Sequence, residues 1–264
     1  MGKSRKTALV TGGARGLGKQ FVLELLRDGH NVIFTSRDHA AIAELKSEAS
    51  SDEGFCEGIV WDPLRDQGGQ DLAREVEVMG ARVDVLINNV GHTLDVTSAL
   101  ASINEWEMVL RLNFLIHVDV TNNFLPGMQA NGWGRIVNIT SIAGLEVSGP
   151  APFNSAKAAL TAYTRSVGRL MAIEHPGIVM TAVAPGIVVT PGGHWDILSE
   201  SNPGHVENYM KQRTALGRFG EMEEISGIVS FLVSERASFF HGSIIQVDGG
   251  QSRGYFSHTF LEGP

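Results

Sequence analysis

The chain is poor in cysteine: Cys56 is the only one among 264 residues. No disulfide can close within it, and a lone thiolate cannot assemble a zinc site. A reducing, cytoplasmic setting is expected, with Cys56 a small, partly buried packing residue. Positive charge is also in short supply. Lysine and arginine number 21 against 29 aspartates and glutamates, a formal net charge of −8. Nucleic acids and anionic membranes both require a basic face, so neither is an expected partner. No apolar run reaches the ~20 residues of a membrane span. The first residues, Met1 to Lys6, are basic but lead straight into a strand-like segment, without the apolar stretch and cleavage site of a secretory leader. His92, His117 and Asp119 have no spacing that completes a metal site, and no metal is expected.

Glycine is plentiful at 31 residues, and 43% of the chain is hydrophobic, ample for a large core. Short runs rich in Val and Ile recur at 7–11, 31–35, 58–61, 83–88, 135–140, 178–184 and 243–247. They barely alternate, as expected of strands buried on both faces. Helix-like stretches lie between them, at 16–28, 39–49, 69–79, 105–128, 155–174 and 221–234. Strand–helix–strand repetition of this kind builds right-handed crossovers and a parallel sheet. The expectation is one doubly wound α/β domain over residues 1–264, a seven-stranded parallel sheet flanked by helices, with no linker and no internal repeat. The rhythm fails at 190–216, where Pro191, Gly192, Gly193, Pro203 and Gly204 read as irregular. A loop this long is expected to be a substrate lid.

The first strand runs into Thr11-Gly12-Gly13-Ala14-Arg15-Gly16-Leu17-Gly18. A glycine-rich turn between a buried strand and a helix lets the backbone approach a pyrophosphate and aims the helix N-terminus at it. At the end of the second strand, where an NAD site places an acid for the ribose 2′-hydroxyl, stand Ser36 and Arg37. Arg15 and Arg37 together could bracket a 2′-phosphate. NADP(H) is therefore expected over NAD(H); the competing reading makes both arginines solvated surface charges.

With these residues in place, the chain resembles the short-chain dehydrogenase/reductase family over nearly its whole length. Thr11 to Gly18 resembles the family's T-G-x-x-x-G-x-G loop, and Asp62 the acid beside the adenine. Asn88-Asn89-Val90-Gly91 is similar to N-N-A-G, with Val in place of Ala. Asn113, Ser141 and Lys157 match the catalytic asparagine, serine and lysine. Pro185-Gly186, Val188 and Thr190 resemble the segment that holds the nicotinamide carboxamide, and Val247 to Gly250 the C-terminal strand end. The resemblance implies a Rossmann fold and interconversion of a ketone and a secondary alcohol by hydride transfer.

One position departs. Phe153 stands where the family has the tyrosine of Y-x-x-x-K. In the family, that phenol passes a proton to or from the substrate oxygen. Lysine tunes the phenol and binds the nicotinamide ribose, serine hydrogen-bonds the same oxygen, and asparagine holds a water. Loss of a placed acid costs roughly 10²- to 10⁴-fold in rate. Three readings are open. Phe153 replaces a tyrosine in a trapped or inactive variant; or the protein binds NADP(H) without redox turnover, as a sensor or scaffold; or an acid elsewhere, such as Tyr209, has taken over. The intact remainder of the site favours the first. Tyr163 is about 15 Å further along the helix, and Tyr255 is the third tyrosine.

Within the lid, His194, Trp195 and Tyr209 are candidate substrate contacts, with Trp195 and Tyr209 forming an apolar wall. His205, like His194, reads as solvated or substrate-contacting, and Lys211 and Arg213 either pair with an anionic substrate or face solvent, the commoner case for a lone charge. The helical stretch at 155–174 is apolar on more than one face, which fits subunit contact as well as core packing. Members of the family pair through this helix and the one at 105–128, so a homo-oligomer, a tetramer, is expected.

Overall fold

The computed structural model of the protein describes residues 5–49 and 54–252. Seven parallel strands form one sheet in the order β3-β2-β1-β4-β5-β6-β7. They are β1 Thr7–Val10, β2 Asn31–Ser36, β3 Cys56–Val60, β4 Val85–Asn88, β5 Gly134–Ile139, β6 Ile178–Pro185 and β7 Ile244–Val247. Every expected strand is present, with ends displaced by at most two residues.

Alternate residues of each strand feed two separate cores. Ala8, Val10, Val85, Ile87, Val137 and Ile139 pack into one layer; Leu9, Leu86, Ile136 and Met180 pack into the other. Helices α1 (Gly16–Arg27) and α2 (His39–Glu48) cover the first face together with the late helix Met222–Val233. The second is covered by α3 (Gly68–Val78) and by the helices Ile116–Asn131 and Ala151–Glu174. A buried polar chain ties the middle of the sheet to that second layer. Asn88 Nδ2 donates to Thr121 Oγ1 at 3.0 Å and to Asn138 Oδ1 at 2.9 Å, and Asn138 Nδ2 donates to Thr164 Oγ1 at 2.9 Å.

Three segments differ from expectation. The stretch 105–128 is not one uniform helix. It comprises α4 (Ile103–Leu110), a wide π turn at Arg111–Leu115, and α5 (Ile116–Asn131). A capping box starts α4: Ser102 Oγ accepts the Glu105 N–H, and Glu105 Oε2 accepts the Ser102 N–H at 2.8 Å. The helix expected at 155–174 begins earlier, as α6 (Ala151–Glu174), because Pro152 in its first turn loses no hydrogen bond there. Phe153 and Lys157 therefore share one helix face, one turn apart.

The segment 190–216 is mostly helical rather than irregular. It contains α7 (His194–Ser201) and α8 (Pro203–Arg213), ahead of α9 (Met222–Val233). Asn202 accepts the His205 N–H at 3.2 Å and Pro203 opens α8. Residues that read as loop punctuation are here a helix start. Tyr255 lies outside the described residues.

Candidate active site

The strand order reverses between β1 and β4, so the loops leaving their C-terminal ends part and leave a crevice. The two loops are stitched together. Thr11 Oγ1 accepts the N–H groups of Asn89 and Val90, at 2.9 and 3.2 Å, and Asn89 Nδ2 donates to the carbonyls of Thr11 and Gly12. Glycine is obligatory at two points. Gly12 has φ +66°, and a Cβ on Gly18 would sit 2.1 Å from the Gly12 carbonyl oxygen.

A cavity of about 450 Å³ runs from this turn across the end of β2. Gly12, Arg15, Leu17, Gly18, Ser36, Arg37, Asn89 and Gly91 line it, with Trp61 and Pro63. Gly16 (φ +53°) packs against Thr190, which brings the segment after β6 up to the glycine turn. Asp62 is exposed between Trp61 and Pro63, and its Oδ1 accepts the Leu64 N–H.

Asp38 was not singled out from sequence. It caps α2 by accepting the N–H groups of Ala40 and Ala41, and it also pairs with the Arg15 guanidinium. Those backbone N–H groups, with Arg15, hold its carboxyl below the usual carboxylate range. The charge pattern Asp-x-x at a helix start could have flagged it.

The second half of the site sits where β4, β5 and α6 converge. The wide turn sets Asn113, fully buried, against the loop after β4. Its Nδ2 donates to the carbonyls of His92 (2.8 Å) and Val109 (2.9 Å), and its Oδ1 accepts the His92 N–H at 3.1 Å. Lys157 is also buried, and its Nζ donates to the Ile139 carbonyl at 2.9 Å. Burial lowers its pKa to about 8. Gly91 fits between the two: a Cβ there would lie 2.8 Å from Asn113 Oδ1 and 3.1 Å from Lys157 Nζ. Ser141 follows β5, with Oγ accepting the Ala143 N–H at 3.1 Å. The Phe153 ring centroid lies 5.6 Å from Lys157 Nζ.

A cavity of about 490 Å³ opens beside these residues. Ser141, Phe153 and Gly186 line it, with His194, Trp195 and Tyr209 from α7 and α8. Gly91 and His92 border both cavities, so the crevice and this chamber meet there. Behind Gly186, Gln251 Oε1 accepts the Ile187 N–H at 2.9 Å, and its Nε2 donates to the Tyr209 hydroxyl at 3.1 Å. Gln251 links α8 to the segment just after β6, and no sequence signal pointed to it. Val188 pairs with Gly220 in an isolated bridge, and Pro185 ends β6.

Tyr163 lies elsewhere, edge-on to Phe114 with ring centroids 6.2 Å apart, its pKa raised by burial. His205 sits 6.4 Å from the Tyr209 ring, and Lys211 and Arg213 pair with Glu207 and Glu146. His117, one helical turn beyond Asn113, is buried with no hydrogen bond to either ring nitrogen. Burial, aided by the Lys157 charge and weakly opposed by the Val90 backbone, lowers its pKa to about 3. Among the described residues no cluster of three or more His, Cys, Asp or Glu could hold a metal ion, and no helix is long and apolar enough to cross a membrane.

A glycine turn at the switch point of a parallel sheet, opening onto a chamber with a buried lysine, an asparagine and a serine, defines a nucleotide-dependent oxidoreductase type of site. Comparison with known proteins makes this specific. A profile of the short chain dehydrogenases matches residues 6–195. A 3-oxoacyl-(acyl-carrier-protein) reductase of Aquifex aeolicus is 33% identical over 247 residues, which is 93% of this chain and 96% of the relative. An acetoacetyl-CoA reductase of Shinella zoogloeoides is 33% identical over 258 residues, 93% of this chain and 98% of that protein. Among solved structures, a 3-oxoacyl (acyl-carrier-protein) reductase of Agrobacterium tumefaciens with NADP bound superposes with a TM-score of 0.86 at 29% identity, covering 93% of each chain. A protein of Beutenbergia cavernae assigned as an NAD(P) dependent gluconate 5-dehydrogenase, solved with NADP at low occupancy, gives 0.85 at 30% identity, covering 94% of this chain and 97% of the other. The chain belongs to the short-chain dehydrogenase/reductase family.

Proposed function

We propose that the protein binds NADP(H) in the crevice and is built to interconvert a ketone and a secondary alcohol in the adjoining chamber, with turnover severely reduced by Phe153. The observation that carries this reading is the junction at Gly91 and His92, where both cavities meet beside Ser141, Lys157 and Phe153. The first cavity has the cradle a dinucleotide needs: a turn that admits no Cβ at Gly18, the N-terminus of α1, and Arg15 and Arg37 beyond Ser36. Bound there, the nicotinamide supplies the hydride. Solved relatives with NADP bound support the choice of cofactor.

The chain's own residues account for the rest. Lys157, drawn into the fold and tied to the Ile139 carbonyl, presents an ammonium next to the ribose position. The Ser141 hydroxyl keeps its proton for the substrate oxygen while accepting from Ala143. Asn113 fixes the loop that carries His92. The phenyl ring of Phe153 has no proton to give, so the chamber orients a carbonyl without its main acid. A cytoplasmic setting accompanies this reading. So does a homotetramer, supported by exposed Met108, Leu115, Leu170 and Ile173 on the helices expected to pair.

The test is Phe153→Tyr, followed as NADPH oxidation with a broad ketone panel. Turnover should rise by about 10²- to 10⁴-fold over the unaltered chain. Phe153 itself favours one alternative, an NADP(H)-binding sensor or scaffold. A Phe153→Tyr protein that binds NADPH tightly yet turns over nothing in the panel would establish that alternative instead.

A further inference from the structure

The chamber beside Ser141 is rimmed by hydrogen-bonding groups that the protein leaves unspent. The rim is the loop between β4 and α4, and it is held in a costly conformation: Leu94 and Asp95, consecutive residues with side chains, have φ of 55° and 58°. Such backbone persists only where its surroundings over-determine it, and it concentrates at functional sites. Here Asn113 clamps both the N–H and the carbonyl of His92, His92 Nδ1 accepts the Leu94 N–H at 2.9 Å, and Thr93 Oγ1 accepts the Asp95 N–H.

This wiring fixes what the rim offers. With Nδ1 accepting, a neutral His92 carries its proton on Nε2 and is a donor. The Asp95 carboxylate has no hydrogen-bond partner among the described residues and is an acceptor; the Ser148 hydroxyl is similarly unbonded. Across the chamber the Tyr209 hydroxyl accepts from Gln251 and keeps its own proton free. Trp195, its ring 4.7 Å from that of Tyr209, gives a flat wall. Among the described residues no lysine or arginine lines the chamber, so an anionic group would find no lysine or arginine partner among them. An aliphatic chain lying over the rim would displace water from these donors and acceptors without replacing its bonds, and sites built to bond hydroxyls reject analogues that lack them, by up to about 10⁴-fold.

We propose that the chamber takes an uncharged, polyhydroxylated carbonyl compound or its polyol, a ketose-like substrate, with Asp95 and His92 reading hydroxyls beyond the reacting carbon. The inference rests on the NADP(H)-linked reading above. To test it, the unaltered chain is saturated with NADPH, and the fluorescence of the bound nucleotide is followed during titration with D-fructose, D-xylulose, an aliphatic methyl ketone and an acetoacetyl thioester. Saturable changes are expected with the ketoses and not with the other two.

Asp95→Ala should weaken ketose binding at least tenfold with NADPH affinity unchanged. Asp95→Gly should lose the ketose equally while melting at a higher temperature, because glycine relieves the left-handed backbone. A purely structural role for Asp95 would leave ketose binding intact in the glycine variant and overturn its assignment. NADPH binding accompanied by preference for the aliphatic or thioester probe, or by no response to any probe, would overturn the substrate class and leave the cofactor reading standing. Failure to bind NADPH at all would overturn both.

Discussion

Phe153 and Lys157 lie one turn apart on α6, so a hydroxyl restored at position 153 would enter next to the buried ammonium. The other singular residue here is His117. Its pKa falls from 6.5 to about 3 because burial disfavours the imidazolium. Between those values the unfolded chain takes a proton that the folded chain resists, so stability drops as pH falls from 6.5 toward 3. His117→Leu should flatten that part of the profile, measured as urea unfolding at a series of pH values; an unchanged slope would show that other groups govern acid sensitivity. At the far end of the crevice, Arg37 lines the cavity beyond Ser36, while Arg15 is shared with Asp38. Arg37→Ala is expected to weaken NADPH binding roughly tenfold, the loss of one charge-assisted contact, with NADH binding unmoved. Equal loss for both nucleotides would remove the 2′-phosphate argument.

At the scale of elements, the loop after β4 is the part most at odds with its own sequence. Leu94 and Asp95 pay for left-handed backbone at about 1–2 kcal/mol each. Leu94→Gly should therefore raise stability by about 1 kcal/mol, read as a shift of the urea midpoint at constant slope. A destabilised variant would mean that the Leu94 side chain does more packing than its backbone costs.

Nothing in the sequence announces this loop, because strain arises from contacts between distant segments, here Asn113 reaching across to His92. The strands, by contrast, were legible. Val and Ile runs buried on both faces look the same whichever neighbour they pair with. The glycine turn was legible for the same local reason, since Gly12 and Gly18 answer to backbone geometry within a few residues. Helices α7 and α8 were not, because the stripe each buries is short: Trp195 and Leu198, only partly buried, on α7, and Val206 and Met210 on α8. The wide turn at Arg111–Leu115 was hidden too, since its five residues are too few for their spacing to betray a local change of period. Gln251 acts through bonds to segments far along the chain, which local pattern does not encode, whereas Asp38 carried a local signal at the start of α2.

At the scale of the whole molecule, the two cores divide the labour. Helices α1, α2 and α9 leave no large hydrophobic residue exposed, whereas α4, the wide turn and α6 expose Met108, Leu115, Leu170 and Ile173. A face of that kind is expected to be covered by a second copy. Leu170→Glu should lower the mass measured by light scattering toward the 28.4 kDa of one chain while leaving the far-ultraviolet dichroism intact. An assembly of undiminished size would move the contact elsewhere.

The wide turn between α4 and α5 has a mechanical consequence for the entire rod that it interrupts. Each residue added to or taken from a helix rotates the downstream turns by about 100°. At the turn itself the rod answers to the loop after β4, through Asn113; downstream it answers to the sheet, through Val120 and Phe124. The surplus residue works as a phase adjuster, letting two faces with incompatible azimuths be satisfied along a single axis. Shortening the chain there by one position would leave every side chain chemically unaltered and still force the site and the core out of alignment.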